Sequence, residues 1–143
     1  MKKDPLNVKI REATDKDIAS IIKLLKISKL YYPEDDNPDN LKRKLARDKD
    51  LMIVATINKR VIGFVMGTYD GWAAIVWHLS VLPEFRKLGI AKTLLLEIEQ
   101  RLKQKGAQVL YGLVQKDNLH MLELIPKLSF QKAAEVLVVS RKI

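Results

Sequence analysis

The chain contains no cysteine, which excludes disulfides and thiolate metal sites and suits a reducing, cytoplasmic interior. No metal site is expected. No apolar run approaches the roughly 20 residues needed to cross a bilayer. The opening MKKDPLNVKI is charged and has no apolar stretch behind it, so it does not read as a secretory signal. Linkers, repeats and low-complexity segments are also missing. Neither G-x-x-x-x-G-K-[ST] nor G-x-G-x-x-G occurs, so a P-loop and a dinucleotide fingerprint are excluded. The cations are not interleaved with an aromatic platform and no nucleic-acid module is recognisable. Nucleic acid and membrane are therefore not the expected partners.

What remains is 143 residues, 48% of them hydrophobic, enough for one folded domain spanning 1–143. Lys and Arg number 26 against 17 Asp and Glu, a net charge of +9 that favours anionic ligands. These cations are spread along the chain, and Glu97/Arg101 and Glu99/Lys103 sit four apart as on a solvated helix face.

Period and punctuation predict the element order. NVKIRE (7–12) alternates like a strand. Thr14 and Asp17 resemble a capping box, followed at helical spacing by Ile18, Ile21, Ile22 and Leu25. YYPEDDNP (31–38) reads as a loop, and a short basic helix follows to about residue 48. LMIVATI (51–57) and VIGFVMGTY (61–69) are strands around an Asn-Lys-Arg turn. WAAIVWHLSV (72–81) is nearly all apolar and reads as a strand in the middle of the sheet. Ile90, Leu94, Leu95, Ile98 and Leu102 make one helical stripe that should stop at Gly106. A strand over 108–114, a helix over 118–128 and a last strand, AEVLVVS (134–140), complete the chain. This β-α-α-β-β-β-α-β-α-β order predicts an α/β fold: one mixed sheet with helices on both faces. Strands 72–81 and 108–114 flank a crossover helix and should be parallel neighbours.

The stretch PEFRKLGIAKTLL (83–95) places Arg86, Lys87, Gly89 and Lys92 where a strand hands over to a helix. Unpaired N–H groups and a partial positive charge at a helix start favour an anion there. Taken alone, a glycine before a helix is more often a plain turn than a phosphate site.

Arg86-Lys87-Leu88-Gly89-Ile90-Ala91 resembles motif A of the GNAT N-acetyltransferases, [QR]-x-x-G-x-[GA]. NLHMLELIPKLSF (118–130) resembles that family's N-x-x-A-x-x-L-Y-x-K-L-G-F segment, and the element order agrees over nearly the whole chain. The stretch from MGTYDGW to PEFRKLGIA is also similar to the small stand-alone bacterial YpeA-like subgroup. The resemblance implies a GNAT fold, acetyl-CoA as cofactor and an amine as acetyl acceptor. It implies that residues 86–92 (Arg86, Lys87, Leu88, Gly89, Ile90, Ala91, Lys92) hold the pyrophosphate. Leu79, Ser80 and Val81 would pair with the pantetheine arm, backbone N–H groups near Leu79 would polarise the thioester oxygen, and Asn118 would lie near the sulfur. Asn118 also fits a helix N-cap. Homodimers occur among relatives, which makes one an option by analogy.

The chain departs from the pattern where the chemistry is usually done. The family's acid is the tyrosine of the L-Y pair, and Ile125 stands there; Pro126 and Ser129 depart as well. Positions where relatives carry a glutamate base hold Ile75 and Leu113. His78 is either the base, a role imidazole suits, or a histidine packed in the sheet. Tyr69 and Asp70 close the preceding strand as further catalytic candidates, although Asp70-Gly71 also reads as a turn. Tyr111 offers a hydroxyl or core packing. Trp72 and Trp77 read as core or cleft wall, and His120 as surface. Glu34, Asp35 and Asp36 form either an acidic substrate loop for a cationic amine or a solvated turn. A protein lysine, a protein N-terminus, a polyamine and an amino sugar all remain open as acceptors. Without the tyrosine, a non-catalytic acyl-CoA binding or sensing module is the alternative to an enzyme.

Overall fold

Five extended segments pair side by side: β1 (Lys9–Glu12), β2 (Met52–Ile57), β3 (Arg60–Thr68), β4 (Ala74–Val81) and β5 (Leu110–Gly112). The structure is a computed structural model that describes residues 7–143, so the start of the N-terminal segment read above lies outside the described residues. The sheet order is β1-β2-β3-β4-β5, antiparallel except for the parallel pair β4–β5. That parallel pair needs a crossover, which α4 (Ile90–Gln104) supplies as predicted. β4 lies inside the sheet, next to the central β3 and paired on both edges, as its apolar run predicts. The β2–β3 hairpin turns through Asn58 and Lys59, both with positive φ (48° and 68°), the conformation a tight two-residue turn requires.

The chain divides into two compact units, one ending at Leu113 and one starting at Val114. In the first, α1 (Ile18–Ile27) packs against β3 and β4, while α4 packs across β2, β3 and β4. Leu94, Ile98 and Leu102 of α4 are buried, with Ile98 and Leu102 lying over Gly67. Side chains alternate across a strand, so the buried Phe64 and Ile62 of β3 need cover on the other face, where α1 supplies Ile21, Leu24 and Leu25. Asp17, just before α1, takes the Arg11 guanidinium on both oxygens (2.7 and 3.0 Å) and the Thr14 N–H at 2.8 Å.

YYPEDDNP is more ordered than the loop its prolines suggested. Pro33 opens a helical turn, α2 (Pro33–Asp36), in which the Tyr32 carbonyl accepts from the Asp35 and Asp36 N–H groups. Asn37 then caps α3 (Pro38–Arg47), its side chain accepting from the Asn40 N–H. Lys44 ties α3 to the sheet by donating to the Gly67 carbonyl at 2.7 Å.

The second unit contains α5 (Leu119–Lys127), capped by Asn118, whose side chain accepts the Met121 N–H. Pro126 falls in its last turn and the helix stops one residue later. The strand expected over 134–140 does not form: no pairing involves it, and Val136, Leu137, Val138 and Val139 are exposed. β-branched composition supplies strand propensity, but a strand exists only where a neighbour accepts its hydrogen bonds. Strand 108–114 likewise shortens to three residues, and strand 72–81 begins only at Ala74.

Candidate active site

The register of β3 and β4 slips once. Phe64 pairs with Ser80 and Met66 with Trp77, so Val65 alone faces both His78 and Leu79. The extra residue is a β-bulge, which takes local backbone groups out of the ladder and re-aims a side chain. At its apex His78 has φ +58, a left-handed conformation that costs an L-residue roughly 1–2 kcal/mol. Strain of this kind, held by surrounding structure, concentrates at functional sites.

The imidazole turned by this bulge meets a buried carboxylate. His78 Nε2 lies 2.8 Å from Asp36 Oδ1, and the Asp36 side chain is 3% exposed against 11% for His78. The other carboxylate oxygen, Oδ2, accepts the Tyr32 N–H at 2.9 Å. Asp36 therefore does not belong to a surface acidic patch; of the three acids in that segment, Glu34 and Asp35 are exposed and Asp36 is buried. The pairing joins residues 42 apart in the chain, and no spacing or motif announces it.

Beyond Val76 the pairing of β4 with β5 ends, since the ladder runs only from Ala74/Leu110 to Val76/Gly112. The β5 side of Trp77–Val81 thus has no ladder partner among the described residues. The Ser80 hydroxyl donates to the His78 carbonyl at 3.0 Å, and Leu79, Ser80 and Val81 carry buried side chains.

After β4 and a short turn over Pro83–Phe85, the chain enters the loop of the predicted cradle. Arg86 Nε donates back to the Val81 carbonyl at 3.0 Å, so this cation shapes the loop. Lys87 (φ +64) and Gly89 (φ +84) are both left-handed, and such turns aim successive N–H groups into one concavity. Gly89 caps α4; the helix's first bond is Thr93 N–H to the Gly89 carbonyl, at 3.1 Å. The N–H groups of Ile90, Ala91 and Lys92 precede that bond and have no intrahelical acceptor. A Cβ on Gly89 would meet nothing within 4 Å, so the loop opens onto free space. Lys87, Leu88 and Lys92 are exposed around it. These residues fit a polyphosphate group of the coenzyme A kind.

The structure does not bring every candidate to His78. Tyr69 and Asp70 follow β3 beside the start of β4, where Thr68 pairs with Ile75, three residues or about 10 Å along the strand from His78. The Tyr69 hydroxyl lies 3.5 Å from where a Cβ on Gly106 would stand, past the C-terminus of α4 and opposite the cradle. Asp70 makes a turn, accepting the Trp72 N–H at 3.2 Å. Trp72 is 89% exposed and forms neither core nor cleft wall, because it lies in that turn before β4 begins. Trp77 is half-buried and donates from Nε1 to the Thr68 hydroxyl at 2.8 Å. Tyr111 pairs beside Ile75 on β5 but is exposed, not core, because β5 ends one residue later at the sheet edge. Asn118 is an N-cap in the second unit, and His120 is exposed.

The family model described as the acetyltransferase (GNAT) family matches residues 21–130. An acetyltransferase of Pectobacterium atrosepticum is 33% identical over 87% of this chain and 88% of its own length. Among solved structures, the chain is similar to PaiA N-acetyltransferase from Thermoplasma acidophilum in complex with coenzyme A. That match has TM-score 0.76 and 23% identity, over 85% of this chain and 87% of the other. An aminoglycoside 6'-N-acetyltransferase from Acinetobacter haemolyticus matches with TM-score 0.79 and 21% identity, over 94% and 99%. At such identities the structural likeness speaks for the fold.

Proposed function

The chain belongs to the GNAT acetyltransferase family, and we propose that it is an acetyl-CoA-dependent N-acetyltransferase whose acceptor is a primary amine. Acetyl-CoA, when bound, supplies the acetyl group as a thioester open to direct attack by the amine. The N–H groups at the start of α4, with Lys87 and Lys92, hold its pyrophosphate. The unpaired edge of β4 at Leu79–Val81 takes the pantetheine arm as an added strand.

An alkyl ammonium has a pKa near 10.4, so only roughly one acceptor in 10³ is neutral at pH 7. A base within reach of that proton speeds attack, and His78 is assigned this role. The observation that carries the reading is the left-handed bulge, which sets an imidazole on the same strand that leads into the cradle. Backbone N–H at Leu79 stabilises charge developing on the acetyl oxygen without a side chain. Ile125 cannot protonate the leaving thiolate, so that proton comes from elsewhere. The exposed Glu34 and Asp35 suit a cationic acceptor, and the amine-acetylating structural neighbours support that class. We extend the single acetyltransferase domain across both units, since the family match runs to residue 130. The cytoplasm is the compartment proposed, and a homodimer the assembly to be tested.

Release of free CoA with a panel of a lysine peptide, a peptide N-terminus, a polyamine and an amino sugar tests the reaction. Turnover with at least one amine, reduced about 10²-fold or more in kcat by His78→Gln, is expected. Tight acetyl-CoA binding with no release for any amine would instead identify a non-catalytic acyl-CoA module.

A further inference from the structure

We infer that Asp36 is the positioning residue of this site: through His78 it fixes which imidazole nitrogen is free to take a proton. The inference rests on the role proposed for His78 and adds a partner that the sequence motifs do not contain.

An ionised carboxylate offers acceptors and no donor. Both Asp36 oxygens are used, Oδ2 by the Tyr32 N–H at 2.9 Å and Oδ1 by His78 Nε2 at 2.8 Å. Nε2 must therefore carry the hydrogen, and in the neutral ring the lone pair falls to Nδ1. The tautomer is set by the second hydrogen bond of the ring, as for any histidine with one oriented nitrogen. Burial strengthens the constraint, because breaking the pair would leave the desolvated Oδ1 of Asp36 without its His78 partner.

The carboxylate is itself held. Asp36 N–H donates to the Tyr32 carbonyl at 2.7 Å while Tyr32 N–H donates to the Asp36 side chain, so one residue closes α2 from both sides. Pro33 fixes the first residue of that turn, and Asn37 starts α3 immediately after it. The backbone of residues 32–37 thus fixes the carboxylate, the carboxylate fixes the imidazole, and the bulge fixes the imidazole's attachment. Glu34 and Asp35, on the same short helix, are exposed and unconstrained by this pair, which separates an orienting acid from two surface acids.

Asp36→Asn tests the assignment. Asparagine keeps an acceptor for Tyr32 N–H but turns an NH₂ group toward His78, so Nε2 must accept and the hydrogen moves to Nδ1. Imidazole nitrogen-15 NMR, at alkaline pH where the ring is neutral, should show a protonated Nε2 in the wild type and a protonated Nδ1 in the variant. Turnover number should fall about 10²-fold or more, the scale of general-base catalysis, with KM for acetyl-CoA changed less than about 3-fold. An unchanged tautomer overturns the inference, and so does a reversed tautomer with normal kcat. If Asp36→Asn does not fold, the wild-type spectrum decides: hydrogen on Nδ1 with a bare Nε2 refutes it. Failure of the proposed reaction looks different, because the wild type would then release no CoA while the tautomer measurement stands on its own.

Discussion

Gly106 and Ser129 occupy the same station in two helix endings. Each is the left-handed residue after the last helical turn, with φ of +109° and +63°. Each donates back to the carbonyl three residues earlier, Gly106 to Lys103 at 3.0 Å and Ser129 to Pro126 at 3.1 Å. The next residue closes the longer bond, Ala107 to Leu102 and Phe130 to Ile125, both 3.1 Å. Glycine meets this geometry without a Cβ penalty, whereas serine carries one. Ser129→Gly should therefore stabilise the second unit by about 1 kcal/mol, read as a shift in denaturant midpoint with unchanged slope. A lower midpoint would show that the Ser129 side chain compensates for its backbone.

The same penalty sits at His78, the proposed base. His78→Ala and His78→Gly both remove the imidazole and both leave Asp36 without that partner. They differ only in the backbone freedom of the residue with φ +58. The glycine variant should be the more stable by about 1 kcal/mol, and both should lose the base's share of turnover. Equal stabilities would mean that the bulge relaxes once the ring is gone.

At Gly89 conformation and ligand separate. A Cβ there meets nothing, so Gly89→Ala should cost only the strain of φ +84, about 1 kcal/mol, with acetyl-CoA affinity lowered modestly. Gly89→Glu adds a carboxylate to the proposed pyrophosphate cradle and should abolish acetyl-CoA binding while the fold is retained. Calorimetry distinguishes the two; full affinity in Gly89→Glu would remove the cradle assignment.

Legibility of the fold followed the range of the forces involved. The α4 stripe, its stop at Gly106 and the β2–β3 hairpin are local features, and the sequence announced them. Asn118 as an N-cap was readable for the same reason. The segment 134–140 has the composition of a strand, but pairing is a tertiary event and composition does not supply the neighbour. Trp72 has the size and apolarity of a core residue, but the Asp70-Gly71 turn before it leaves it exposed. In the candidate site, the motif fell on the loop where Lys87 and Gly89 are left-handed. The pairing of Asp36 with His78 was not legible: it joins residues 42 apart and depends on a register slip in β4. Acid residues in a loop look alike until burial separates them.

Acid sensitivity gives a last test, at a contact remote from the chemistry. Arg11, through its hydrogen bonds, and then the Thr14 N–H hold the Asp17 carboxyl below its ordinary value of 3.8, against the opposing effect of burial. A carboxyl lowered in the folded state stabilises the fold fully above the unfolded value. That contribution fades as pH falls below about 3.8 and through the lower folded value. Asp17→Asn should thus cost about 2 kcal/mol near neutral pH, the scale of a hydrogen-bonded charged group. The gap between variant and wild type should narrow as pH drops from about 5 toward 2, because protonation then weakens the same contacts in the wild type. Urea unfolding across that range measures it. A gap that stays constant would mean that Asp17 acts through shape alone, and that its charge contributes nothing to holding β1 against the start of α1.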